Sequence, residues 1–211
     1  MYQLVFENEL HHRTIQNIKN LIIDICIDIY GLLQSIKGGI IMYVISEIKD
    51  KEYKKLIEYA YTKCDAVMFV IRKDLYIKEK NKNIINKFNN MINSTSKLND
   101  YLLKKRNGGN WVYSKVCADD DLFQVQFYNF NLELKQFLLT NNSLYDWLHP
   151  LYPEDIAFFK DGYCWLYSVA HEEICEIYYE TENEYNELCN LGLKFDEFYI
   201  LPLEKKYHEN Y

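Results

Sequence analysis

The sequence predicts a single α+β domain: a mainly antiparallel sheet of about five strands with helices packed on it. Three observations carry this. Asp161-Gly162 separates two short apolar runs, the pattern of a two-residue hairpin. Asp50–Cys64 and Thr181–Gly192 read as amphipathic or capped helices. With 211 residues, 49% of them apolar, the chain has enough material for one ordinary core without a disulfide or metal staple.

Tyr53, Leu56, Ile57, Ala60 and Cys64 recur at helical spacing, with Lys54, Lys55 and Glu58 off the stripe. Ala66–Ile71 is a short continuous apolar run, which suits a buried strand. In the Lys/Asn-rich segment 78–106, Ile84, Ile85, Phe88, Met91 and Ile92 give a second helical stripe, expected to break at Ser94-Thr95-Ser96. Asn107-Gly108-Gly109-Asn110 reads as a loop. Trp111–Val116 and Phe123–Tyr128 read as strands, the second with alternating polarity.

Leu132–Leu139 suits a short helix, and Ser143 a cap for another that Pro150 ends. Ile156–Lys160 and Tyr163–Tyr167 flank the Asp-Gly turn. Both are apolar on each face, so the hairpin is expected in mid-sheet, with Cys175–Tyr179 as a third antiparallel strand. Thr181-Glu-Asn-Glu184 is a capping box, and Gly192 followed by Leu193 supplies the left-handed stop.

Residues 1–41 stand apart. Their isoleucines lack clean helical periodicity, and the segment ends Lys37-Gly38-Gly39-Ile40-Ile41-Met42. Lys-Gly-Gly can be encoded by the purine-rich sequence that pairs with ribosomal RNA at bacterial start sites, with two Ile codons as spacer before the ATG of Met42. The expectation is that 1–41 is upstream sequence read as protein and that the domain is 42–211. The alternative is a loosely attached helix over roughly Thr14–Gln34.

The charge is uneven. Residues 42–116 carry 16 Lys+Arg against 8 Asp+Glu, whereas 117–211 carry 5 against 19. Two such halves can attract each other inside one fold or face partners. The six cysteines form no C-x-x-C and no zinc spacing, so reduced, buried thiols in a cytoplasmic protein are expected. No secretory signal or membrane-spanning run is read. The 20 tyrosines are not taken as a binding surface, because Tyr shares A/T-rich codons with the equally abundant Ile, Asn and Lys.

The segment Leu144-Tyr-Asp-Trp-Leu-His-Pro-Leu-Tyr-Pro-Glu-Asp-Ile-Ala-Phe-Phe-Lys-Asp-Gly-Tyr-Cys-Trp-Leu-Tyr-Ser-Val-Ala-His-Glu172 resembles a family of small proteins from Bacillus- and Clostridium-type bacteria. Lys63-Cys-Asp-Ala-Val-Met-Phe69 resembles an earlier block of the same family. Members are sometimes labelled "stage III sporulation protein AH". The resemblance begins near Met42, and it implies no activity and no catalytic residue.

Candidate chemistry is sparse. His171, at a strand end beside Glu172 and Glu173, suits a general base or a ligand, but the second His of H-E-x-x-H is absent. Glu154 and Asp155 precede the hairpin and offer carboxylates to it. Asp119-Asp120-Asp121 reads as a solvated acidic loop. Cys164 lies within an apolar strand, where a thiolate is penalised. No phosphate-binding glycine loop or nucleophile elbow is present. No cofactor and no metal set are expected.

The leading expectation is a non-enzymatic protein-binding or regulatory, immunity-like module acting through the acidic C-terminal half. The alternative is a small hydrolase-type enzyme using His171 with Glu172 or Asp155. Nucleic-acid binding through Lys78, Lys80, Lys82, Lys104, Lys105 and Arg106 is a third and weaker reading, since a solvated helix face accounts for these charges.

Overall fold

The computed structural model describes residues 38–112, 114–116, 119–202 and 206–211. The helix expected at Thr14–Gln34 lies outside the described residues. Ten strands and four helices follow in chain order: β1 (Gly38–Val44), α1 (Asp50–Lys63), β2 (Ala66–Arg72), α2 (Lys82–Ser96), β3 (Leu102–Asn107), β4 (Asn110–Trp111), β5 (Ser114–Lys115), β6 (Phe123–Asn129), α3 (Leu132–Leu138), β7 (Glu154–Lys160), β8 (Tyr163–Val169), β9 (Ile174–Tyr179), α4 (Glu182–Asn190) and β10 (Phe195–Pro202).

The fold is α+β, but the main sheet has eight strands rather than about five, in the order β10-β1-β9-β8-β7-β2-β6-β3. Every neighbouring pair in it is antiparallel. Three strands were not legible. Leu102–Asn107 shows no alternation of polarity in its sequence, Leu-Leu-Lys-Lys-Arg-Asn, although alternate positions are half-buried and exposed in the sheet. Gly38–Val44 straddles the compositional break at Met42, and Phe195–Pro202 carries no turn signal of its own. In β1, Ile40 and Ile41 are buried and pair with Tyr179 and Tyr178 of β9, so the sheet takes in residues ahead of Met42.

The Asp161-Gly162 hairpin is central, as its two apolar faces predict. Both turn residues have positive φ (51° and 79°), the requirement of a type I′ turn. One face of the sheet packs α1, α3 and α4 around Tyr53, Leu56, Ile57, Leu134, Trp147, Phe158 and Leu188. The other face carries a smaller core of Met68, Val70, Trp111, Phe123, Val125, Phe127 and Phe159. It is covered by the β4–β5 hairpin and the C-terminal residues Tyr207 and Tyr211.

Trp111–Val116 is therefore a two-rung hairpin, not one strand. The helix α2 runs through Ser94-Thr95-Ser96, because Thr95 Oγ1 donates to the Met91 and Ile92 carbonyls instead of competing for the backbone. Ser143 caps no helix. Its Oγ accepts from Tyr145 N in a turn segment that leads to the cis His149–Pro150 bond.

Thr181 Oγ1 accepts from Glu184 N, and Glu184 Oε2 accepts from Glu180 N, one residue earlier than a standard capping box. The other Glu184 oxygen accepts from Trp165 Nε1, so the cap also ties α4 to β8. Gly192 (φ 104°) ends the helix, with Leu193 buried behind it.

Part of the uneven charge is paired inside the fold. Glu209 meets Lys104 and Arg106 at 2.7 and 3.2 Å, Glu187 meets Lys63 at 3.4 Å, and Glu154 meets Arg72 at 3.5 Å. Among the described residues, no helix is long and apolar enough to cross a membrane.

Candidate functional site

The site begins with a defect in the β2–β7 ladder. Met68 pairs with Ala157 and Val70 with Glu154, so three steps on β7 oppose two on β2. Asp155 occupies this bulge in the left-handed conformation, φ 55°. Asp is among the few non-glycine residues that visit this region. In a regular strand, Glu154 and Asp155 would project to opposite faces. The bulge instead sets Glu154 opposite Val70, on the face away from the helices, and brings the two carboxylates together. Bulges re-aim side chains in this way beside sites.

The third member comes from the turn between β8 and β9. Ala170–Glu172 form a single 3-10 turn, closed by Glu173 in the left-handed conformation. Ala170 N donates to Asp155 Oδ1 at 3.3 Å, which fixes this turn against the start of β7. One oxygen from each of Glu154 and Asp155 and one ring nitrogen of His171 then lie within 4.8 Å of one another.

Asp155 and His171 line a cleft of about 520 Å³. Tyr43, Tyr167, Ile174 and Glu176 are supplied by neighbouring strands, and Trp111, Ser114 and Lys115 by the β4–β5 hairpin. Arg72, Val116, Asp155, Val169, His171 and Glu172 complete the lining. All three sequence-nominated residues, His171, Glu172 and Asp155, thus face one cleft.

Their environments differ. His171 and Glu172 are about half exposed and approach each other at 3.6 Å. Asp155 is 3% exposed, and its Oδ2 accepts from Trp111 Nε1 at 2.9 Å. Burial pushes the Asp155 carboxyl above the usual range, against the pull of the Trp111 and Ala170 hydrogen bonds. Glu154 is likewise buried and raised by desolvation, with Arg72 pulling the other way. Its Oε1 accepts a long 3.4 Å bond from His149 N, and its Oε2 is buried with no hydrogen bond.

Arg72 is committed mainly elsewhere. Its Nε and Nη2 reach both oxygens of Asp74, at 3.3 and 2.9 Å. The Arg72 backbone N–H donates to His149 Nε2, and burial lowers the His149 pKa to about 4. That keeps this imidazole neutral beside the cleft.

Arg72 and Trp111 escaped the sequence reading, because both lie far from the hairpin in sequence and in segments with an obvious structural role. The other candidates resolve into structure. Asp119 and Asp120 accept from the N–H groups of Asp121 and Gly109, and Asp121 accepts from Asn107 Nδ2, so the acidic run holds a loop. Cys64, Cys164 and Cys175 are free and buried, and burial raises their thiols well above the ordinary range. Of the 78–106 cations, Lys104 and Arg106 are held by Glu209, while Lys78, Lys80, Lys82 and Lys105 are exposed.

No family model, curated protein or solved structure matches the chain, so nothing from those comparisons bears on the sporulation-labelled resemblance.

Proposed function

We propose that this protein is a small hydrolase-type enzyme whose acid–base site is His171 with Asp155 and Glu172. The observation that carries the reading is the convergence of His171 with the Glu154 and Asp155 carboxylates within 4.8 Å, with His171 and Asp155 lining an open cleft. His171 is accessible and takes the proton of an attacking water, then returns it to the leaving group. Glu172, 3.6 Å from the imidazole, orients it, and the Asp155 carboxylate within 4.8 Å, itself fixed by Trp111 and the Ala170 N–H, helps to balance its charge. Lys115 offers positive charge to a substrate anion or a developing oxyanion.

The protein-binding reading draws less support, since the acidic residues it invokes are in part consumed internally. Glu184, Glu187 and Glu209 each bond to side chains of the same chain.

The test is turnover of chromogenic carboxylic and phosphate esters between pH 6 and 8. His171→Ala is expected to lower any such activity by about 10²-fold or more. Its thermal midpoint should stay close to the wild type, because the side chain is half exposed. Equal rates in wild type and variant would remove His171 from the reaction.

A further inference from the structure

We infer that Glu154, Asp155 and His171 bind a first-row divalent cation of the zinc or manganese type. The inference rests on the same site as the acid–base reading and deepens it: with the His171 lone pair on the ion, the base that takes the proton of water is Glu172, 3.6 Å from that imidazole.

The donor set is two carboxylate oxygens and one imidazole nitrogen, all within 4.8 Å of one another. Imidazole favours zinc-like ions, and carboxylate suits both zinc and manganese. Calcium and magnesium prefer all-oxygen shells. A second observation is independent of the clustering. Glu154 is 5% exposed, and its Oε2 is fully buried without a hydrogen-bond donor. The one cation facing it, Arg72 Nη1, stands at 3.5 Å and already serves Asp74 in bidentate fashion. A buried carboxylate oxygen with so little compensation is costly. An ion between Glu154, Asp155 and His171 supplies the missing charge.

The geometry is close to what such an ion needs. Zinc holds oxygen and nitrogen donors at about 2.0–2.2 Å, which sets tetrahedral ligand atoms roughly 3.4 Å apart. Glu154 and Asp155 are fixed by the bulge and by hydrogen bonds, so the adjustment falls to His171. It is half exposed on a short turn and free to close by a rotamer change. Three protein ligands leave coordination positions open, and the cleft lies beside them. The chain spacing hides this site, since Glu154 and Asp155 are adjacent and would diverge without the bulge.

The test uses the untagged, full-length chain dialysed against EDTA and then titrated calorimetrically with Zn²⁺ or Mn²⁺ alone. One ion per chain is expected, with a thermal midpoint raised by several degrees. Both His171→Ala and Asp155→Asn are expected to bind at least about tenfold more weakly. Absence of saturable binding by either ion at millimolar concentration overturns the inference. So does an affinity unchanged in both variants.

The two readings fail separately. Ester turnover that persists in the EDTA-treated protein but is lost in His171→Ala overturns the cation site and leaves the acid–base site standing. Saturable binding that His171→Ala abolishes, without turnover of any ester, supports the cation site and overturns the acid–base reading.

Discussion

Trp111 Nε1 donates to Asp155 Oδ2 at 2.9 Å, joining the two-rung β4–β5 hairpin to the bulge of β7. The bond orients a buried carboxylate in the cleft, and it anchors a hairpin too short to stand alone.

Trp111→Phe tests that bond. The ring remains to pack near Phe123, whose centroid is 5.7 Å away, but the donor is gone. A buried acceptor left unpaired costs about 1–3 kcal/mol. Asp155→Asn should cost as much or more, because its single amide oxygen can accept from Trp111 Nε1 or from Ala170 N, and the NH2 group then faces the other donor. Guanidinium unfolding of both variants gives the comparison. A loss below about 0.5 kcal/mol in Trp111→Phe would mean that this hydrogen bond does not hold the hairpin.

Tyr53 occupies a similar hinge in the larger core. Its hydroxyl donates to the Leu138 carbonyl at 2.8 Å and accepts from Trp147 Nε1 at 3.0 Å. Tyr53→Phe strands the buried Trp147 N–H, while the Leu138 carbonyl keeps its bond from Asn141 N. We expect a loss of about 1–3 kcal/mol in denaturant unfolding, well above that of an exposed tyrosine.

Gly162 is required twice. Its φ is 79°, and a Cβ there would stand 2.6 Å from His208 Nε2 and 3.0 Å from the Glu209 carbonyl. Gly162→Ala therefore strains the turn by about 1–2 kcal/mol and displaces the C-terminal tail. Amide exchange reads the second effect. Glu209 N–H, bonded to the Gly162 carbonyl, should lose protection more than the β8–β9 ladder does.

Lys206 makes stability depend on pH. Its ammonium is buried against the Tyr178 ring, 3.4 Å from the centroid, with Glu180 at 3.9 Å. Burial lowers its pKa from 10.5 to about 8. A cation depressed in the folded state binds fewer protons there than in the unfolded chain. Its contribution is therefore present above pH 10.5 and lost as pH falls through about 8. The buried thiols act in the opposite sense, so the readout is the difference between wild type and Lys206→Met. From pH 8 to 10 that difference should move in favour of the wild type by about 2 kcal/mol. A flat difference would mean that the ammonium is solvated.

Much of the local structure was legible because it depends on contacts close in sequence. The Asp161-Gly162 turn, the Thr181 cap, the Gly192 stop and the α1 stripe need only neighbouring residues to be satisfied. The strands β1, β3 and β10 were missed for the complementary reason. Leu102–Asn107 becomes a strand because Leu102 to Asn107 pair with Tyr128 to Gln124 of β6, and nothing in Leu-Leu-Lys-Lys-Arg-Asn announces that partner.

The candidate site divides along the same line. The sequence by itself put His171, Glu172 and Asp155 near one hairpin and fixed the turn that folds it. Only the tertiary structure decided that the Glu154 and Asp155 carboxylates share a face, because the bulge arises from the register between β2 and β7. It also decided that Arg72 and Trp111 join them, from strands 83 and 44 residues away from Asp155 in the chain. Local propensity sets turns and caps, whereas the direction a side chain takes from a sheet is set by which strand it pairs with and in what register.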